Sequence, residues 1–149
     1  MTILDHYPIH ITSPFGMRTH PITKEKKMHY GIDLSCPVGT LIRTPVAGIV
    51  RFTKTDSASA GIYIFLECMI TGDKYGFMHL SKLLCKKGDI VQKGQIIALS
   101  GNTGASTGPH LHFERSVDPK WGPDGYVSRL NEKCVDPTDK ILIDFSKMP

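Results

Sequence analysis

No apolar run in this chain approaches the roughly 20 residues that a helix needs to span a bilayer. The opening residues, MTILDHYPIH, have neither the basic nor the apolar region of a secretory leader. A membrane span and export by a visible signal are therefore not expected. C-x-x-C pairs are also missing: Cys36, Cys68, Cys85 and Cys134 stand apart, which argues against a structural zinc knuckle. Without an export signal, reduced and mostly buried thiols are the expected state. Lysines gather in KEKK and CKKGD, but no aromatic residues are interleaved with them. A net charge of +4 then reads as solvated loops, and no nucleic-acid partner is expected. The sequence has no internal repeat, no low-complexity tract and no convincing amphipathic helix. DPTDKIL, near the end, is at most a short one.

What remains is strand. At 149 residues, with 40% hydrophobic and 21% charged content, residues 1–149 fit a single domain with a real core. GTLIRTPVAGIVRFTK reads as two short β runs broken by Pro45 and Gly48. GIYIFLECMI is a strand with apolar positions on both faces, and TGD supplies a turn before KYGFMHL. GDIVQKGQIIALSG repeats the pattern. The expected fold is all-β or β-rich, a small antiparallel sheet sandwich. Residues 117–135, polar and rich in turn formers, read as a surface loop inserted before the last element.

Seven histidines are present, and for each alone a surface or hydrogen-bonded core role is the first reading. His6 and His10 fit it. The pair in STGPHLHFE does not. On a strand, residues i and i+2 share a face, so His110 and His112 point into one space while Leu111 and Phe113 face the other way. In HYGID, His29 and Asp33 share a face whether the segment is strand or helix. Two histidines with one carboxylate make a common zinc set, and a catalytic zinc keeps a fourth position for water. His29, Asp33 and one of His110 or His112 form such a set. Spacing does not say which. His79, in FMHLS, becomes a candidate proton-transfer group beside it.

HYGIDLSCPVGTLIRTPVAGIV, FMHLSKLLCKKGDIVQKGQIIALSGNTGASTGPHLHFE and the preceding ITSPFGMRTHPI resemble the M23 (lysostaphin-type) zinc metallopeptidases of bacterial cell walls. The likeness runs from about Ile11 to Glu114 and resumes weakly at VDP. It implies a Zn²⁺ cofactor held by His29, Asp33 and His112, with His79 and His110 as the catalytic pair. It implies a small antiparallel β domain whose active-site groove lies between loops. SGNTGASTG is then the glycine-rich approach to the H-x-H strand. It is not a phosphate cradle, because the G-K-[ST] signature is missing.

Two features depart from the family pattern. Phe77 stands where many members have a tyrosine, and GMRTHP offers His20 as an auxiliary oxyanion donor or substrate contact, with Arg18 beside it. The implied function is a zinc endopeptidase hydrolysing peptide cross-links of peptidoglycan, acting as a monomer on the cell wall in the periplasm or outside the cell. The implied bond is D-Ala–meso-diaminopimelate. Its carboxylates would suit Arg18, Lys24, Lys26 and Lys27 if those cations rim the groove. Lacking a visible leader, such an enzyme would be a phage lysin released at lysis or carried in the virion, or a piece of a larger exported hydrolase. Two alternatives come from other classes. A non-catalytic cell-wall-binding or activator module would have lost its ligands, and all five polar positions are present here. A biotinyl or lipoyl carrier would have no use for three histidine motifs.

Overall fold

Short β-branched and aromatic runs separated by turn residues form strands and little else. The computed structural model describes residues 1–19, 22–123 and 133–147. Among them the strands are β1 (Ile11–Ser13), β2 (Gly16–Thr19), β3 (Lys26–His29), β4 (Gly31–Ser35), β5 (Leu41–Arg43) and β6 (Gly48–Ser57). They continue with β7 (Gly61–Cys68), β8 (Lys74–Leu83), β9 (Ile90–Val91), β10 (Ile96–Ser100), β11 (His110–Ser116) and β12 (Cys134–Val135). DPTDKIL contributes one 3-10 turn, Thr138–Lys140. The described residues contain no α-helix, and none has a helix long and apolar enough to cross a membrane.

The expected antiparallel, β-rich fold is the one formed. Ten strands make one sheet, running β1-β4-β11-β8-β7-β6-β9, with β10 bridging β8 to β5 and β12 added to β11. β2 and β3 form a separate two-stranded ribbon. The sheet branches at β8 and closes over its own core. Ile42 of β5 and Ile97 of β10 pack in the same cluster as Ile32, Leu80, Leu111 and Phe113. Two-faced burial of β7 follows from its alternation. Ile64 and Leu66 enter that main core, while Tyr63 and Phe65 join Ala60 and Met78 in a second cluster.

Strand β11 carries the division that matters for the site. Leu111 and Phe113 are fully buried, and the period of two sends His110, His112 and Glu114 to the opposite face. The Phe113 ring lies 5.1 Å from Phe77 and stacks 6.0 Å from Tyr75. The aromatic position before the His79 segment therefore serves the core here. Phe113→Ala is expected to cost about 3–5 kcal/mol, read from a denaturant midpoint. A loss below about 1 kcal/mol would mean that the β11 face is not the packing anchor described.

The described ends of the segment 117–135 are anchored. The Lys74 ammonium, itself buried, donates to the Asp118 carbonyl at 2.6 Å and lies 4.9 Å from the Trp121 ring. Trp121 packs against Phe52 at 5.1 Å, and Cys134–Val135 pairs with Arg115 and Ser116. All four cysteines are free. Burial raises the Cys36 thiol and pushes Cys85 up to about 11, which keeps both unreactive.

Candidate metal centre

Register brings the chemistry together. In the middle of the sheet His112 of β11 lies opposite Asp33 of β4 on one side and Met78 of β8 on the other. His29 ends β3, with only Tyr30 between it and the start of β4. Its Nε2 lies 3.4 Å from Asp33 Oδ1, and His112 Nδ1 lies 2.8 Å from the same oxygen. One donor atom from each of His29, Asp33 and His112 falls within 4.8 Å of the others.

Each imidazole is held from behind. The His29 Nδ1–H donates to the Pro14 carbonyl at 2.9 Å, leaving Nε2 as the lone-pair nitrogen. His112 has a carboxylate at each nitrogen: Asp33 at Nδ1 and Glu114 at Nε2, the latter at 2.9 Å. Glu114 is itself buried. Room for it comes from Gly31 across the ladder. A Cβ there would lie 2.9 Å from Glu114 Cγ and 3.0 Å from His112 Nε2.

The electrostatics follow from these contacts. Burial would raise the Asp33 carboxyl, but hydrogen bonds and charge from His112 and His29 outweigh it and hold the group well below the usual carboxylate range. Burial would lower His112, yet Asp33 and Glu114 together raise it to about 9. Without a metal, then, the two carboxylates favour a proton on each nitrogen of His112. A cation that takes Nδ1 displaces the proton there while Glu114 keeps the other, the carboxylate–histidine arrangement that orients metal ligands.

His79 and His110 stand beside this set. Their ring centroids are 4.8 Å apart, and His110 Nε2 is 3.8 Å from Asp33 Oδ1. The Nδ1 of His79 faces the Thr103 carbonyl at 2.7 Å, and that of His110 faces the Gly108 carbonyl at 2.8 Å. A carbonyl only accepts, so each Nδ1 bears a proton, which in the neutral form of either ring leaves the lone pair on Nε2. Burial lowers His79 below the ordinary imidazole range, against a smaller upward effect of the Thr103 hydrogen bond. Both rings line an open groove of about 450 Å³, together with Arg18, Lys27, Tyr30, Met78, Ser106 and Thr107.

The donor set fits a small divalent cation. Zinc bonds of 2.0–2.2 Å in a tetrahedron put neighbouring donors about 3.3–3.6 Å apart; His29 and Asp33 stand at that spacing, 3.4 Å, while His112 and Asp33 are closer, at the 2.8 Å of a direct hydrogen bond. Two imidazoles and one carboxylate suit zinc, and the set faces the groove.

Of the residues singled out in the sequence, His29, Asp33 and His112 form the donor cluster, and His79 and His110 lie next to it. His20 lies outside the described residues. Lys24 and Lys26 are exposed and do not line the groove, whereas Arg18 and Lys27 do. Glu114 is the residue that sequence reasoning missed, although H-x-H-x-E carries its signal: position i+4 shares the face of both histidines. The backbone carbonyls of Pro14, Thr103 and Gly108 left no signal of any kind.

A branched antiparallel sheet that gathers a His–Asp–His donor cluster and two further imidazoles in one groove makes this a candidate metal centre. The family follows from comparison. The model described as Peptidase family M23 matches residues 27–136, and the chain belongs to that family. It is 44% identical over 118 residues to the peptidoglycan DD-endopeptidase ShyA of Vibrio cholerae, covering 74% of this chain and 26% of that one. Lysostaphin of Staphylococcus simulans is 38% identical over 104 residues, covering 70% of this chain and 21% of that protein. The chain thus spans about a quarter of the length of the curated relatives it matches. Its fold superposes on the catalytic domain of lysostaphin with a TM-score of 0.72 at 32% identity, covering 89% of this chain and 92% of that one. A zinc-containing peptidase from Vibrio cholerae superposes with a TM-score of 0.66 at 39% identity, covering 76% and 36%.

Proposed function

We propose that this chain is a zinc-dependent endopeptidase that hydrolyses peptide cross-links of bacterial peptidoglycan, with His29, Asp33 and His112 as metal ligands and His79 and His110 as the catalytic pair. The observation that carries this reading is the meeting of five groups in one groove, three as converging donors and two as imidazoles whose Nδ1 is committed to a backbone carbonyl. Bound zinc would supply Lewis acidity, polarising the scissile carbonyl and acidifying water. The protein's own groups do the rest. The Nε2 of a neutral His79 or His110 takes the proton of the attacking water, and the imidazolium returns it to the leaving amine. The second ring donates to the developing oxyanion when protonated. A binding or activator module would need none of these groups in place. Digestion of purified peptidoglycan of defined chemotype, with mass spectrometry of the products, tests the activity. Release of no cross-link product by zinc-loaded protein would refute it.

The bond we assign is D-Ala–meso-diaminopimelate. Arg18 and Lys27 are direct cross-strand partners on the β2–β3 ribbon, and both line the groove. Like charges placed opposite each other repel, by roughly 0.2–1 kcal/mol, and an anion between them relieves that repulsion. A diaminopimelate cross-link carries carboxylates beside its scissile amide, whereas pentaglycine offers no side-chain charge. Arg18 also donates to Ser13 Oγ at 2.5 Å, so Lys27 gives the cleaner test. Lys27→Gln is expected to raise KM for a diaminopimelate cross-linked dimer by about 2- to 5-fold, the worth of one exposed ion pair. The effect should shrink at high salt and leave kcat in place. Efficient cleavage of pentaglycine with no product from the dimer would overturn the bond assignment and leave the hydrolase.

A further inference from the structure

We propose that Thr103 is a positioning residue that fixes His79 in the orientation and tautomer its proton transfer requires, an inference that rests on the catalytic reading of His79 above. Three hydrogen bonds meet on this one residue. Its carbonyl accepts the His79 Nδ1–H at 2.7 Å. Its hydroxyl accepts the Ile62 N–H at 3.0 Å and donates to the Leu80 carbonyl at 2.6 Å. Ile62 and Leu80 are opposite partners of β7 and β8, at the point where the register of that pair shifts. The hydroxyl is therefore stitched into the sheet one residue from His79, while the carbonyl of the same residue holds the His79 ring.

His79 needs such a hold. Its φ of +63° lies in the left-handed region, disfavoured for any residue with a side chain. A conformation of that kind persists only where its neighbours over-determine it. Here the His79 N–H is tied to the Ala60 carbonyl at 2.9 Å, and the Ala105 N–H to the Ser59 carbonyl at 2.9 Å. The turn before β7 and the loop from Thr103 thus grip the site together. Gly61, at φ +67°, makes the close approach feasible, because a Cβ there would fall 2.3 Å from Thr103 Oγ1. In the glycine-rich stretch SGNTGASTG, the hydroxyl residue sets the catalytic ring and the glycines give it room.

The experiment compares zinc-loaded Thr103→Val and Thr103→Ser with the unaltered protein on a cross-linked dimer, and reads the His79 tautomer from its ring ¹⁵N shifts. Thr103→Val keeps the shape and loses the hydroxyl. It is expected to lower kcat by about 10- to 100-fold, the scale of a small misplacement of a reacting group. KM and zinc content should stay unchanged, while the ¹⁵N signature of Nδ1–H on His79 weakens. Thr103→Ser should restore both. A merely structural role would lower thermal stability and leave kcat and tautomer of the folded protein alone. That result, or a serine variant as impaired as the valine one, overturns the proposal. Should Thr103→Val fail to fold, the unaltered protein still decides, since a His79 protonated at Nε2 contradicts the assignment. His79→Ala separates this inference from the one beneath it. Full turnover in His79→Ala refutes the catalytic reading, whereas an inactive His79→Ala beside a fully active Thr103→Val refutes only the role of Thr103.

Discussion

Zinc content and turnover are expected to fall together when His29, Asp33 or His112 is replaced by alanine. Each substitution deletes one of three donor atoms gathered within 4.8 Å, and a two-donor remnant binds a divalent ion poorly. Loss of an outer hydrogen-bond partner already costs roughly 10–100-fold in metal affinity, so loss of a donor should exceed that. Asp33→Ala should be the most damaging of the three. Its Oδ1 is the shared neighbour of His112 at 2.8 Å, His29 at 3.4 Å and His110 at 3.8 Å. The measurement is the zinc-to-protein ratio after dialysis against a weak chelator, beside the rate of cross-link cleavage. A His112→Ala protein that kept stoichiometric zinc would refute the ligand assignment.

Much of this site can be read before any coordinates, because its signals are local. The period of two puts His110 and His112 on one face, and Leu111 and Phe113 at full burial on the other follow from the same rule. GIYIFLEC, apolar at nearly every position, becomes a strand buried on both faces for the reason its pattern suggests. The rest depends on partners far along the chain. Local spacing leaves His110 and His112 equivalent as third ligand. What distinguishes them is that His112 lies opposite Asp33 with Glu114 behind it, while the His110 Nδ1 is occupied by the Gly108 carbonyl. Backbone carbonyls carry no residue signature, so the groups that set the tautomers of His29, His79 and His110 have no trace in the sequence. The branch of the sheet through β10, and the cross-strand pairing of Arg18 with Lys27, are likewise matters of long-range register.

His79→Ala and His110→Ala are expected to keep zinc and fold yet lose about 10²–10⁴-fold in turnover, the usual contribution of a positioned acid–base group. Neither residue supplies an atom to the donor cluster. Their rings lie 4.8 Å apart with Nδ1 of each committed to a carbonyl, so on the proposed reading both would present Nε2 to the same reacting atoms. Residues that work as a unit are not additive, and the double variant should be little worse than the weaker single one. The pH profile carries a sign. Burial holds His79 below the ordinary imidazole value, so its ring stays neutral, and the rate is sustained, as pH drops past about 6.5. The rate should then fall on the acid side as the ring protonates. Position 79 also allows chemistry to be separated from stability. At φ +63° an alanine keeps the strain of a left-handed residue, roughly 1–2 kcal/mol, whereas His79→Gly relieves it. His79→Gly should therefore melt above His79→Ala while remaining equally inactive. Metal analysis beside the kinetics decides the assignment of the pair: loss of zinc in His110→Ala would mean that ligand and base in the H-x-H motif are the other way round.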